Sequence, residues 1–186
     1  MKRLWYVLFS PLLVVSACGQ ATRQGRPPVP SAEVAAMVDS LYEEVVARHP
    51  IGTLDRKVFG QYLSKGLLHS FDLDDACFAR WNRAHPDPNL KPDFALLEFR
   101  VFSGGAEDTV PQIFHIEKVE TEKEGSHRVH VKLIQSWTDH KMIWYVVAVV
   151  IFENDRPVVD DIVYSKQDDV DEYRLSEILK EDCKEQ

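Results

Sequence analysis

Residues 142–164 read MIWYVVAVVIFENDRPVVDDIVY, and this stretch decides the fold. Its first half is a run of β-branched and aromatic residues, and Asn154-Asp155 is a two-residue turn signal before a second apolar run. So short a link joins only antiparallel strands, which makes 142–153 and 157–164 a hairpin. The first of these strands is apolar on both faces, and that predicts a central place in the sheet.

Upstream, residues 126–136 alternate, with Val129, Val131 and Leu133 set against His130, Lys132 and Ile134, as expected of one buried and one wetter face. Residues 111–120 read as another strand, and Glu124-Gly125 supplies the turn between them. Four strands with short connections predict an antiparallel meander.

Before the strands the period is helical. Ser31 stands as an N-cap ahead of Val34, Met37, Val38, Leu41, Tyr42, Val45 and Val46, and the helix should end near His49, before Pro50. A second helical pattern runs through Leu54, Val58, Phe59, Tyr62, Leu63, Leu67 and Leu68. Asp72-Leu73-Asp74-Asp75 offers acidic caps for a short third helix through Cys77, Phe78 and Trp81. The run HPDPNLKPD at 85–93 reads as a loop, and residues 172–180 as a short closing helix on Leu175, Ile178 and Leu179. The fold class predicted is α+β, with N-terminal helices packed on an antiparallel meander.

The first thirty residues are of another kind. Met1-Lys2-Arg3 is a positive cap, and the apolar run 4–15 carries Pro11 and is shorter than the roughly 20 residues needed to span a bilayer. Val15-Ser16-Ala17-Cys18 resembles the lipobox of bacterial lipoproteins, which implies cleavage before Cys18 and lipid on its thiol. Gly19 after the cysteine, by the same resemblance, points to the outer membrane. Residues 19–30 hold three prolines and almost no apolar surface, so they read as a tether spanning roughly 20 Å. The expected organisation is therefore 1–17 signal peptide, 18–30 lipidated cysteine and tether, and 31–186 a single domain in the cell envelope.

Removing Lys2 and Arg3 leaves 20 basic residues against 30 acidic, a net charge of about −10. Such a surface repels phosphate backbones, which argues against nucleic acid as a partner. With Cys18 lipidated, Cys77 and Cys183 remain, and they are either bridged, as an oxidising compartment favours, or two buried thiols.

The helices, the phrase Gln61-Tyr62-Leu63-Ser64-Lys65-Gly66-Leu67-Leu68, the loop Lys91-Pro92-Asp93-Phe94 and the closing Pro157-Val158-Val159-Asp160-Asp161-Ile162-Val163-Tyr164 together resemble a lipoprotein family catalogued as domain of unknown function 3828. That family is related to the cystatin-like cone of nuclear transport factor 2. The likeness covers most of 31–181, with Pro157 standing where tryptophan is commoner. It implies the cone fold and no assigned reaction.

The wider superfamily holds enzymes with Asp, His and Tyr inside the cone, which makes Asp160, Asp161, Tyr164 and His115 the candidate catalytic groups. One of the two aspartates should face the sheet's concave side, where desolvation would raise its pKa. The alternative is that it satisfies buried polar groups.

His127 and His130, with His115, are the nearest thing to a metal cluster, but residues three apart on a strand face opposite sides. Ser103-Gly104-Gly105 is too short for a phosphate loop, and Asp168-Asp169-Val170-Asp171-Glu172 lacks the EF-hand pattern. No metal or cofactor is implied. Trp137, Trp144 and Tyr145 form either part of an aromatic pocket or partner surface, or core or sheet rim. Three readings follow: a membrane-anchored envelope protein that binds an envelope partner or small ligand without catalysis, an acid/base enzyme of the cone interior, and an immunity protein against a secreted toxin.

Overall fold

The computed structural model describes residues 31–87, 89–90, 99–104, 108–122, 125–164 and 172–181. The lipobox, tether, 91–94 loop and 168–171 run fall outside the described residues, as does Cys183.

The architecture is α+β. Helix α1 (Ser31–Arg48), α2 (Arg56–Phe59) and α3 (Lys65–Ala84) precede strands β1 (Ile113–Thr121), β2 (His127–Ser136), β3 (Lys141–Glu153), β4 (Arg156–Tyr164) and β5 (Tyr173–Arg174), and α4 (Leu175–Glu181) closes the order. The strands form one antiparallel sheet in the order β1-β2-β3-β4-β5, so the apolar β3 is the middle strand. Asn154 and Asp155 both take positive φ, 50° and 64°, the geometry a tight hairpin with the sheet's twist requires.

α1 buries Val34, Val38, Leu41, Tyr42 and Val45 on one stripe, each a side chain whose removal from water stabilises by roughly 1.5–3 kcal/mol. They meet Val129, Val131 and Leu133 of β2, Val146, Ala148 and Val150 of β3, and Val159, Ile162 and Tyr164 of β4 in one core. α3 and α4 pack on each other and on β4.

Three helical expectations are corrected. The pattern from Leu54 to Leu68 is not one helix, because the chain leaves α2 at Gly60 and Leu63 forms a parallel bridge to Val159 of β4. Val159 N donates to Tyr62 O, and Ser64 N donates to Val159 O, both at 2.8 Å. Sheet pairing thus takes the backbone groups a continuous helix would have used. Asp72 to Asp75 do not cap a third helix but lie within α3, whose cap is Ser64. Arg56 of α2 grips Asp72 and Asp75 at 2.8 and 2.7 Å, so these acids tie two helices together. The closing helix likewise begins later than expected, at Leu175, because Tyr173 and Arg174 pair with β4 as a fifth strand.

Candidate functional site

The sheet places the two aspartates through a bulge. Val149 pairs with Asp161 and Val150 with Val159, so Asp160 is the extra residue. The bulge breaks the alternation that would have sent one carboxylate into the core. Val159 and Ile162 keep the core face, and that expectation for the aspartates is corrected.

Each aspartate instead holds the start of a helix. Asp160 Oδ1 accepts from Ser64 Oγ at 2.6 Å, and Ser64 Oγ accepts from Leu67 N at 3.0 Å, which caps α3. Glu153 Oε1 adds an acceptor for Lys65 N at 3.0 Å, so two acids stand at the positive end of a 20-residue helix. Asp161, only 6 % exposed, accepts from Ile162 N and Ser176 N through Oδ1 and from Ser176 Oγ through Oδ2, at 2.8–3.0 Å. Arg174 lies 3.5 Å from its Oδ2. Ser176 is the second residue of α4, so a strand carboxylate caps that helix from across the fold.

Tyr164 is engaged as well. Its hydroxyl donates to Val101 O, and its burial raises the pKa well above the usual tyrosine value. Tyr42 Oη donates to Phe102 O at 2.8 Å, and Trp144 Nε1 donates to Ser103 O at 2.8 Å. Donors from α1, β3 and β4 therefore converge on three successive carbonyls of the segment 101–103. Gly104, at φ +69°, lies under the Tyr164 ring, where an added Cβ would come within 2.9 Å of Cδ1. Sequence reading passed over this segment except to reject Ser103-Gly104-Gly105 as a phosphate loop. The available signal was an apolar pair, Val101-Phe102, followed by the small residues Ser103-Gly104.

His115 does not join these groups. It lies on β1, three strands from β4 or about 14 Å by strand spacing, and pairs with Lys132 on the face opposite the core. His127 and His130 point to opposite faces as their spacing requires. His127 Nδ1 lies 3.1 Å from Thr121 Oγ1 on the core side, whereas His130 Nε2 lies 2.7 Å from Glu120 Oε2. Lys118 and then His130 hold the Glu120 carboxyl below its usual range. Among the described residues no group of three His, Cys, Asp or Glu side chains is placed to hold a metal ion.

The aromatics divide too. Trp144 faces the core, Tyr145 faces outward with 44 % exposure, and Trp137 stacks on His140 at the hairpin tip, with ring centroids 4.4 Å apart. The outward face of β3 is apolar along Ile143, Tyr145, Val147, Val149 and Ile151, beside Ile113 and Ile134 on the neighbouring strands. Charges beside this stripe are matched within the face, Lys132 with Glu117 at 3.2 Å and Arg128 with Glu172 at 3.2 Å.

Cys77 is disulfide-bonded, which removes the free-thiol alternative for that residue. No known protein family, curated protein or solved structure matches the chain.

Proposed function

We propose that the chain is a lipid-anchored envelope protein that binds a partner protein through the outward face of its sheet and performs no acid/base chemistry. The observation that carries this reading is the commitment of Asp160, Asp161 and Tyr164 to two helix starts and one turn. A general base needs a carboxylate free to meet a substrate proton, and here both oxygens of Asp161 already accept hydrogen bonds. The apolar row on β3 supplies a surface instead. Lys132 and Arg128 beside it are already paired, so it fits a partner with an apolar, weakly charged face.

Anchoring at Cys18 through the residues 19–30 would hold this surface near other envelope proteins. The likeness to domain of unknown function 3828 belongs to the same reading. Palmitate labelling of the wild type and of Cys18→Ala tests the anchor, with label expected only in the former. A photo-crosslinking residue placed at Tyr145 in intact cells should capture a reproducible envelope protein, and one at the exposed Glu43 of α1 should not. Equal capture from both positions would sink the assignment of the surface.

A further inference from the structure

We propose that the open edge of β1 pairs with the same edge of a second copy of the chain, antiparallel about a two-fold axis that passes between Glu117 and Lys118. The proposal goes beyond anchoring and the outward-face contact and uses a different surface. β1 ends the sheet, and among the described residues no strand pairs with its outer edge. A nine-residue edge without proline is a template for another strand.

The register follows from which residues of β1 turn toward that edge. Ser126 O accepts from Glu122 N at 2.9 Å and Ile134 O accepts from Gln112 N at 2.8 Å, so the even-numbered residues of β2 aim their backbone groups at β1. Their opposites, Ile113, His115, Lys118 and Glu120, aim back at β2, which leaves Phe114, Ile116, Val119 and Thr121 aimed at the open edge. Glu117 is the bulged residue between the two halves. Two such strands about the stated axis set Ile116 opposite Val119 and Phe114 opposite Thr121, so the backbone groups that aim outward from each copy meet. The same axis sets Glu117 opposite Lys118 and His115 opposite Glu120, and two-fold symmetry makes each contact twice. Phe114, Ile116 and Val119 pack toward the core, whereas Glu117 lies beside Lys132 and Lys118 beside Glu120 on the outward face, so opposed side chains keep to one side of the joined sheet. The two bulged residues lie across the axis from each other and the residue count stays matched. A slip of two residues sets Lys118 against His115 in one direction and Glu117 against Glu120 in the other. Only the central register matches acid with base, and the edge is therefore self-complementary in one alignment.

Two differently tagged copies of the full chain are co-expressed, extracted in mild detergent and captured through one tag. Parent copies should capture each other equally well with Cys18→Ala in both. No capture, or capture that vanishes with Cys18→Ala, would overturn the proposal, since copies would then meet only through a shared lipid phase. Failure of the anchor and failure of the edge pairing are thus separately visible. Lys118→Glu opposes glutamates across the axis and Glu117→Lys opposes lysines, so either variant paired with itself should lose about tenfold in capture. Co-expressed with each other, the two variants restore acid opposite base, and capture should return to within about twofold of the parent. Each variant still lacks its own ion pair within the chain, so this recovery has no intramolecular source. Unchanged capture in the single variants, or no recovery in the mixed pair, would overturn the register. The edge-facing amides of Ile116 and Val119 should exchange about tenfold or more faster in Lys118→Glu than in the parent, while β3 keeps its protection. Equal exchange at these two amides would overturn pairing through the edge.

Discussion

Gly104 shows how narrowly single residues are fitted. Its φ of +69° belongs to the left-handed region, and the Tyr164 ring fills the space where a side chain would start. Gly104→Ala meets both penalties and should destabilise the fold by about 2–3 kcal/mol, read as a lower midpoint in urea unfolding. His49 is a second such site. It takes φ 49°, its carbonyl accepts from Arg100 Nη1 at 3.0 Å, and its Nδ1 is buried without a partner among the described residues. Burial first, and then the Arg100 charge, lowers the His49 pKa below 6.5. The unfolded chain therefore binds this proton more readily than the folded one. Stability should be full above the unfolded value and be lost as pH falls through it toward the lower folded value. His49→Asn tolerates the same backbone geometry, and between about pH 7.5 and about pH 5.5 its thermal midpoint should fall less than that of the parent.

Among elements, the two helix starts turn an adjacent pair of aspartates into a structural device. Asp161→Ala strands Ser176 N and Oγ and should cost about 2–3 kcal/mol, with faster hydrogen exchange at the Ser176 amide. Ser64→Ala should cost about 1 kcal/mol, and its combination with Asp160→Ala should depart from additivity by more than about 0.5 kcal/mol, because the two side chains act through one hydrogen bond. These roles were not legible in the sequence, although the strands were. β2 and β3 declare themselves through alternation and a continuous apolar run, signals carried within each strand. The bulge at Asp160, the bridge from Leu63 to Val159 and the pairing of Tyr173 with Tyr164 depend on which segments meet, not on a pattern carried within one segment. A strict two-residue period therefore assigned the aspartates to faces that one inserted residue rearranged. The helical period at 54–68 misled for a related reason, since Tyr62 and Leu63 are buried or half-buried against the sheet edge as well as on a helical stripe.

At the scale of the molecule, the sheet separates two apolar surfaces with different duties. The inner one is closed by α1 and carries stability, whereas the outer row on β3 remains partly open in a chain whose formal net charge is −8. A strand face that met only water would gain from polar residues at 143, 145, 147, 149 and 151, yet all five are apolar. Tyr145→Lys separates the two duties. Its side chain is 44 % exposed and outside the core, so unfolding stability should stay within about 0.5 kcal/mol of the parent. Capture of the envelope partner should fall sharply, because an ammonium would be desolvated in an apolar contact. Since Lys132, Lys118 and Arg128 already have acidic partners on this face, capture by the parent should change little between about 50 and about 500 mM salt. A steep loss with salt would mean that the partner is recognised by the acidic surface rather than by the row on β3, and would move the binding face elsewhere on the molecule.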